Sequence, residues 1–271
     1  MEKKYLSMEE IKNKELEILK YIDNFCKKNS IKYFINYGTL LGAIRHKGFI
    51  PWDDDIDLMM SRKDYEKFIK LFEKDESIYK VIHLGNDKKY FNNFLKVYDS
   101  STVIEDNRNY KTYDVGIFVD IFPYDNFNDL KAVNKTYFWE SFKLLSFSKK
   151  ENIQYGDSKL KDFIRYFFWL IFKNISPVYF AHKSEKLIKK YSTEKGNFYG
   201  VLSSKFKEKE VFNENVFEKL ITLEFEGIQL PAPKEYDKIL TQYYENYMQL
   251  PPVEKQCYPH EIKAFVKERN N

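Results

Sequence analysis

Four aspartates within five positions are the feature of this sequence whose residue types and spacing most clearly indicate chemistry. Asp53, Asp54, Asp55 and Asp57 lie in an extended run, WDDDIDLMM, and such crowding raises their mutual repulsion unless a cation neutralises it. Residues two apart on a strand project from the same face about 6.6 Å apart, so Asp55 and Asp57 can converge there. Ligands that offer only oxygen suit Mg²⁺ or Mn²⁺. The run therefore predicts a strand-borne site for a divalent metal ion.

Two other structures could carry an acidic run of this kind. A solvated loop is the usual fate of charged residues, but Ile56 and Leu58 alternate with the acids and fit a strand whose second face enters the core. A calcium-binding loop needs Gly after its third aspartate and Glu at its twelfth position, where this chain has Leu58 and Asp64. The sequence thus excludes an EF-hand and favours the strand over the loop.

A glycine-containing segment just upstream could bind phosphate. The residues Ile31–Tyr37 predict a strand, and LLGAIRHK predicts a short helix that Gly48 ends. Gly38 and Thr39 lie between them, where backbone N–H groups, a hydroxyl and the positive end of the helix dipole can face a phosphate.

Asp120 is the candidate for a third carboxylate. It interrupts an apolar strand in GIFVDIFPYD, where an unpaired carboxylate would be costly. A glycine turn, a D-x-D strand and a carboxylate from a later strand together form the layout of the nucleotidyltransferase fold. We therefore expect Asp55, Asp57 and Asp120 to form one metal site and to be catalytic.

The elements that must position these residues follow an α+β pattern. Ser7 and Glu10 form a capping box before a first helix, and Ser61 with Asp64 caps a helix after the acidic run. Further strands are predicted at Tyr79–Leu84, Phe94–Tyr98 and Val115–Phe122. The chain then becomes mostly helical and aromatic from 130 to about 191. We expect a nucleotidyltransferase-like mixed sheet flanked by helices, with a helical, aromatic-rich insertion.

Composition narrows the class of protein. The 271 residues carry a net charge of +4, from 45 Lys and Arg against 41 Asp and Glu, so binding to nucleic acid is not expected. Cys26 and Cys257 are the two cysteines, which suits buried thiols in a reducing compartment better than a disulfide framework. The N-terminus lacks the apolar core of an export signal, which predicts cytoplasmic residence. Aromatic residues make up 18% of the chain, more than a core alone requires.

The most apolar stretch is too interrupted to cross a membrane. Phe163–Phe180 contains Arg165, Lys173, Asn174 and Pro177 and falls short of the roughly 20 apolar residues that a spanning helix needs. As one helix it could lie in the membrane interface near a lipid-linked substrate. A buried core helix is the alternative, and the sequence favours it slightly.

Three blocks of sequence carry a resemblance to a known family. YGTLLGAIRHKGFIPWDDDIDLMMSRKDYEKF, at 37–68, resembles the signature of the LicD family of phosphotransferases, whose eukaryotic relatives include fukutin and fukutin-related protein. VGIFVDIFPYD, at 115–125, resembles the family's second block. FEGIQLPAPKEYDKIL and YENYMQLPPVEKQCYPHE resemble its C-terminal block, although the latter lacks a Gly often found in the family.

The resemblance implies a single catalytic domain over 1–271, with a nucleotidyltransferase-like core at 1–128, the helical insertion at 129–200 and the C-terminal part of the site at 201–271. It implies a metal-dependent enzyme that transfers phosphocholine from CDP-choline to a GalNAc-type sugar and releases CMP. The implied acceptor is a lipid-linked precursor of teichoic acid or another surface glycan, met at the inner face of the plasma membrane. Ribitol, glycerol or ethanolamine phosphate could replace phosphocholine, because the CDP part is shared.

Carried over by position, the resemblance assigns Asp55 and Asp57 to the metal, Mg²⁺ or Mn²⁺, and Gly38 and Thr39 to the donor phosphates. Asp120 would then be the base that accepts the proton of the attacking hydroxyl, or a third metal ligand.

Several basic and aromatic residues are candidates for contacts with the substrates. Arg45 and His46 follow the glycine turn and could neutralise the diphosphate. Lys96, in FLKVYD, either contacts phosphate or is an exposed lysine on an edge strand.

The remaining candidates concern the choline and the acceptor. Trp52 and Tyr124 lie beside the acidic residues and could enclose a choline ammonium. His260, in the C-terminal block, is a candidate contact with donor or acceptor. Two other classes of protein stay open: a nucleotidyltransferase that moves NMP, and a binding module without catalysis.

Overall fold

A mixed sheet lies at the centre of the fold and carries helices around it. The computed structural model describes residues 3–105, 111–149, 158–258 and 263–267. The strands of the main sheet follow the order β1-β2-β6-β4-β3, and β7 pairs with both β6 and β8. The expected α+β class, a mixed sheet flanked by helices, is confirmed.

The strands are β1 (Phe34–Ile35), β2 (Asp57–Ser61), β3 (Tyr79–Ile82), β4 (Leu95–Asp99), β5 (Thr102–Glu105), β6 (Phe118–Phe127), β7 (Phe198–Gly200), β8 (Val211–Phe212), β9 (Leu220–Phe225), β10 (Ile228–Pro233) and β11 (Lys263–Val266). The α-helices are α1 (Met8–Asn29), α2 (Tyr37–His46), α3 (Arg62–Phe72), α4 (Lys131–Phe147), α5 (Lys159–Phe172), α6 (Pro177–Tyr191) and α7 (Tyr236–Tyr244). Two further pairs, β9 with β10 and β5 with β11, lie outside the main sheet.

The caps that the sequence predicts are present at two helices. The Ser7 hydroxyl accepts a hydrogen bond from the Glu10 backbone N–H, and the Glu10 side chain accepts one from the Ser7 backbone, so α1 begins in a capping box. The Ser61 hydroxyl accepts a hydrogen bond from the Asp64 backbone N–H at the start of α3. These bonds satisfy N–H groups that a helix leaves without partners at its start.

The segment around the glycine differs from its predicted form. The strand is limited to β1, and Gly38 and Thr39 lie in the first turn of α2 rather than in a turn before the helix. Asn36 is extended and Tyr37 has a φ of +47°, so the change of direction falls before Gly38.

The acidic run also departs from the predicted strand. Regular pairing in β2 starts only at Asp57, so Asp55 precedes the strand. The Asp53 N–H donates instead to the carbonyl of Ile50. A turn therefore lies where the sequence predicts the start of an extended run at Trp52.

Register aligns the middle strands of the sheet. β2 runs parallel to β6, with Asp57 opposite Asp120, and β4 runs antiparallel to β6, with Lys96 opposite Asp120. Because side chains alternate between the two faces of a strand, these three residues project from the same face. The predicted later strands are present, with bounds shifted by a few residues.

The predicted helical segment forms α4, α5 and α6, and Phe163–Phe180 is therefore not one helix. Pro177 explains the break, because proline lacks an N–H to continue a helix and disfavours helical backbone in the residue before it. The alternative of a buried core helix is wrong for α5, since Phe163 is 66% exposed, whereas Phe180 on α6 is buried. Among the described residues, no helix combines the length and the apolar character that crossing a membrane requires.

The main core lies between α1 and the central sheet and includes residues from 11 to 264. A smaller apolar cluster packs α4 and α6 against the end of β6. Cys26 is buried, as expected, but Cys257 is exposed. The division of the chain at 128 and 200 stays a prediction.

Candidate functional site

A row of three charged residues crosses the centre of the sheet. Asp57 on β2, Asp120 on β6 and Lys96 on β4 occupy neighbouring positions in register. Asp57 and Asp120 open onto a cleft of about 1150 Å³, which Asp53 and Asp55 also line. The structure therefore brings the three predicted catalytic carboxylates, Asp55, Asp57 and Asp120, to one cleft.

Lys96, on the neighbouring strand β4, neutralises part of this negative charge. Its Nζ donates to both carboxylate oxygens of Asp120, at 2.6 and 2.9 Å, and lies 3.4 Å from the centroid of the Phe118 ring. The interpretation of Lys96 as an exposed lysine on an edge strand is wrong, because β4 lies between β6 and β3 and the side chain is buried. The partner of Lys96 in the structure is the Asp120 carboxylate, and its contact with phosphate stays a prediction.

Burial and like charges raise the pKa values of the acids. Burial raises the pKa of Asp120 to about 6, against the lowering effect of Lys96. The pKa of Asp57 lies well above its usual value because of burial and of the charges on Asp55, Asp120 and Asp53. Burial, with the charges of Asp55 and Asp54, raises the pKa of Asp53 to about 7.

Asp53 was not among the residues that the sequence assigned to the site. Among the described residues, Asp53, Asp54 and Asp55 can each bring one carboxylate oxygen within 4.8 Å of the others. Asp55 links this group to Asp57 and Asp120 through the electrostatic effects on their pKa values. Crowded, buried carboxylates that offer only oxygen fit a divalent cation such as Mg²⁺ or Mn²⁺.

Helix α2 holds the start of β2 in place. The Thr39 hydroxyl accepts a hydrogen bond of 2.8 Å from the Asp57 backbone N–H. Thr39 is buried and is not among the described residues that line the cleft, so the structure shows it fixing Asp57, and its contact with phosphate stays a prediction.

Gly38 does line the cleft, and its lack of a side chain has a specific reason. A Cβ at this position would lie 2.4 Å from Oδ2 of Asp53. Glycine therefore allows the Asp53 carboxylate to pack against the first turn of α2.

Arg45 contacts both Trp52 and His46. The Arg45 guanidinium donates to the carbonyl of Tyr247 at 2.9 Å and lies 5.9 Å from the centroid of a Trp52 ring. Its Nε donates to Nε2 of His46 at 2.9 Å. Among the described residues that line the cleft, Arg45 and Trp52 are present and His46 is not.

One further candidate, Tyr124, is not brought to the cleft. Tyr124 lies on β6 beyond Asp120, and its ring packs against Phe34 and Phe217 at centroid distances of 6.1 and 4.7 Å. It fills core space there and is not among the described lining residues. His260 lies outside the described residues.

Helix α4, which sequence analysis left without a role, also lines the cleft. Lys143 is buried there, forms an ion pair with Glu140 and donates to Oδ1 of Asn93 at 3.1 Å. The three-residue spacing of Glu140 and Lys143 was the only sequence signal, and it is common on helix surfaces.

A second acidic group lies along the same cleft. The Tyr37 hydroxyl donates to Oε2 of Glu210 at 2.5 Å. Burial raises the pKa of Glu210 to about 7, against the lowering effects of Tyr37 and Ser204. Tyr37, Ser204 and Glu210 all line the cleft, far apart in sequence and without a shared motif.

Comparison with known proteins places the chain in a family. Residues 30–168 match the family model described as LicD/FKTN/FKRP, nucleotidyltransferase domain. The chain is 31% identical over 269 residues to the lipopolysaccharide cholinephosphotransferase LicD of Haemophilus influenzae. The match covers 93% of this chain and 95% of that protein. An uncharacterised protein of Rickettsia typhi is 39% identical over 83 residues, or 30% of this chain and 25% of its own. One of Rickettsia prowazekii is 48% identical over 48 residues, or 18% of each chain. The resemblance seen in the motifs thus extends over nearly the whole chain, which belongs to the LicD family.

Proposed function

We propose that this protein transfers phosphocholine from CDP-choline to a hydroxyl of a GalNAc-type sugar in a precursor of teichoic acid or another surface glycan, and releases CMP. The observation that carries the proposal is the cleft in which Asp53, Asp55, Asp57 and Asp120 meet, in a chain similar over its length to a cholinephosphotransferase. Membership of the family supports phosphotransfer, and the cleft offers a site for it.

The carboxylates are proposed to hold Mg²⁺ or Mn²⁺. Asp55, Asp57 and Asp120 would be the ligands, with Asp53 beside them. The repulsion that raises the pKa of Asp57 is relieved when a cation shares these oxygens. A divalent ion bound there would neutralise the oxygens of the diphosphate and stabilise the departing CMP.

The residues of the chain supply the remaining chemistry. The acceptor hydroxyl attacks the phosphorus that carries choline, the bond from this phosphorus to the CMP oxygen breaks, and a carboxylate accepts the hydroxyl proton. Asp120 fits this role, since its pKa of about 6 leaves the carboxylate ionised at neutral pH while Lys96 stabilises its charge. As a third metal ligand it would serve positioning instead.

The diphosphate needs cationic partners within the cleft. Arg45 and Lys143 both line the cleft, and Lys143 is buried. Both can donate to phosphate oxygens, and burial strengthens such charge-assisted hydrogen bonds. We propose these two residues, together with Gly38, as the contacts of the donor diphosphate.

A choline ammonium is best held by aromatic faces. The described lining of the cleft contains nine aromatic side chains, namely Tyr37, Trp52, Phe94, Phe122, Tyr137, Phe147, Phe206, Tyr244 and Tyr247. Trp52 stays a candidate, although Arg45 already lies near its ring. Ribitol, glycerol or ethanolamine phosphate would need hydrogen-bonding groups, and the aromatic lining therefore favours choline.

We further propose that the acceptor is lipid-linked and that the protein acts in the cytoplasm, in peripheral contact with the inner face of the plasma membrane. The LicD protein of Haemophilus influenzae is named for lipopolysaccharide, a lipid-linked glycan. No nucleic acid is expected as a partner, because the net charge of +4 is small for 271 residues.

Product analysis tests the proposal. The purified protein is incubated with Mn²⁺, a GalNAc-bearing acceptor and CDP-choline, and mass spectrometry identifies the group that the acceptor gains. Phosphocholine on the acceptor with CMP released is the expected result. CMP on the acceptor would indicate a nucleotidyltransferase, and no product with CDP-choline, CDP-ribitol, CDP-glycerol or CDP-ethanolamine would indicate a binding module.

A further inference from the structure

Helix α5 presents an apolar face to solvent. Leu160, Phe163 and Phe167 are 70%, 66% and 52% exposed, and Ile164 and Ile171 are also exposed. Their spacing of three or four residues places them on one side of the helix. An exposed apolar face of this size marks an interaction site rather than ordinary surface.

The other side of α5 is fixed to the protein. The indole Nε1 of Trp169 donates to the carbonyl of Ser148 at 3.0 Å, and the Phe172 ring lies 4.4 Å from that of Phe142 on α4. Phe142 also contacts Phe138, which is 52% exposed. Phe168, which is 37% exposed, contacts both Phe167 and Phe142, and its ring thus connects the exposed face of α5 with α4. We call this surface, formed by Phe138, Leu160, Phe163, Ile164, Phe167 and Ile171, the apolar platform.

Charge indicates what covers the apolar platform. Residues 158–192, which include α5 and α6, contain eight Lys or Arg and two Asp or Glu, whereas the whole chain carries only +4. Lys161 is exposed beside the platform, and Arg165 is exposed and forms an ion pair with Asp162. Apolar side chains bordered by basic ones match a bilayer surface that contains anionic lipid.

The position of α4 connects the platform to the cleft. Tyr137, Ser141 and Leu144 on one side of α4 line the cleft, while Phe138 and Phe142 on its other side belong to the aromatic packing of α5. One helix thus separates the carboxylates' cleft from the platform. A bilayer bound to the platform would therefore lie one helix away from the cleft.

We propose that the apolar platform binds the surface of an anionic lipid bilayer and thereby brings the cleft to lipid-linked acceptors. The second of these two claims, access to lipid-linked acceptors, rests on the function proposed above. Helix α5 has 14 residues and lies along the protein surface. It would bury Phe163 and Phe167 among the lipid headgroups and acyl chains, with Lys161 and Arg165 near lipid phosphates.

Flotation with vesicles of phosphatidylglycerol and phosphatidylethanolamine tests the proposal. The variant Phe163→Asp/Phe167→Asp changes two exposed side chains, so the fold is retained, which circular dichroism and the melting temperature check. The matched control is Ile78→Asp/Val266→Asp, which changes two exposed apolar residues at 57% and 48% exposure outside the platform. A second variant, Lys161→Glu/Arg165→Glu, tests the charge, with exposed Lys28→Glu/Lys32→Glu as its control.

The wild type and both controls are expected to float with the anionic vesicles, and the platform variant to bind about tenfold or more weakly. The charge variant is expected to lose binding in the same direction, and phosphatidylcholine vesicles to bind the wild type less. No flotation of the wild type, or equal flotation of the platform variant, would overturn the proposal. So would self-association of the wild type in sedimentation velocity that the platform variant abolishes, because the platform would then bind a second copy.

An activity assay separates this proposal from the proposed function. With a water-soluble GalNAc acceptor, the platform variant is expected to transfer phosphocholine as fast as the wild type. With an acceptor embedded in the vesicles it is expected to be slower by the same factor as its loss of binding. Vesicle binding without any transfer would refute the function and leave the membrane surface standing, whereas transfer without vesicle binding would do the reverse.

Discussion

Asp120 experiences two opposing effects within one side-chain contact. Burial disfavours its ionised form, while the Lys96 ammonium at 2.6 Å favours it, and the resulting pKa is about 6. The sequence indicated both residues, because each interrupts an apolar strand. It could not indicate that they are partners, since the register of β4 against β6 decides that.

Asp120→Asn is expected to lower turnover about 10²-fold or more at saturating Mn²⁺, because the variant can no longer accept a proton. The rate of CMP release against pH separates the two roles. If Asp120 is the base, the rate of the wild type falls at acidic pH and that of the variant does not. The fall is expected below the metal-free pKa of about 6, because a bound cation favours the ionised carboxylate. If Asp120 is instead a metal ligand, the variant needs a higher Mn²⁺ concentration than the wild type for half of its maximal rate. The exposed Asp114 supplies the control Asp114→Asn, and unchanged turnover in Asp120→Asn would exclude both roles.

At the scale of elements, α2 and β2 position the acids. The Thr39 hydroxyl joins the first turn of α2 to the first residue of β2, and Gly38 leaves room for Asp53. Composition and capping residues predicted the helices and most strands within a few residues. They did not predict that β2 starts at Asp57, where the backbone N–H donates to the hydroxyl of Thr39, a residue 18 positions earlier.

Thr39→Val keeps the size of the side chain and removes the acceptor for the Asp57 N–H. We expect the free energy of unfolding to fall by about 1–3 kcal/mol, because a buried N–H loses its partner. Turnover should fall about tenfold or more as Asp57 shifts. Thr39→Ser retains the hydroxyl and is the matched control. Chemical denaturation and CMP release measure the two effects, and equal behaviour of the Val and Ser variants would show that the bond does not position Asp57.

At the scale of the molecule, the cleft concentrates buried acids whose pKa values are raised. Asp53 and Glu210 reach about 7 and Asp120 about 6. Their ordinary values lie near 4, so between pH 5 and 7.5 the folded protein binds more protons than the unfolded chain. Stability gained from these groups is complete below the unfolded pKa and is lost as the pH rises through the folded pKa.

The metal-free protein is therefore expected to become less stable between pH 5 and pH 7.5. For one group with a pKa of about 7 the decline is about 2 kcal/mol over this range. Urea denaturation in EDTA measures this decline in the free energy of unfolding, and Glu210→Gln should make the decline smaller by about 2 kcal/mol. His46, whose pKa is lowered, acts in the opposite direction but is one group against several. Constant or rising stability over the range would show that these acids are ionised in the folded protein.

Some residues that line the cleft could not be predicted from the sequence. Asp55, Asp57 and Asp120 were identified from their pattern, and the structure brings them to one cleft. Lys143 and Glu210 come from segments without a motif, and only the packing of α4 and the chain after β7 brings them there. Tyr124 was chosen for proximity in sequence to Asp120, but core packing holds its ring against Phe217.

The dependence of CMP release on metal ion, in the wild type and in Asp57→Asn, tests the central claim most directly. The wild type with CDP-choline and acceptor is expected to be inactive in EDTA and to recover with Mg²⁺ or Mn²⁺ along a saturation curve. Asp57→Asn is expected to lose about 10²-fold or more of that rate and to need more metal. A wild-type rate that persists in EDTA, or an Asp57→Asn variant that matches the wild type at every metal concentration, would contradict the account.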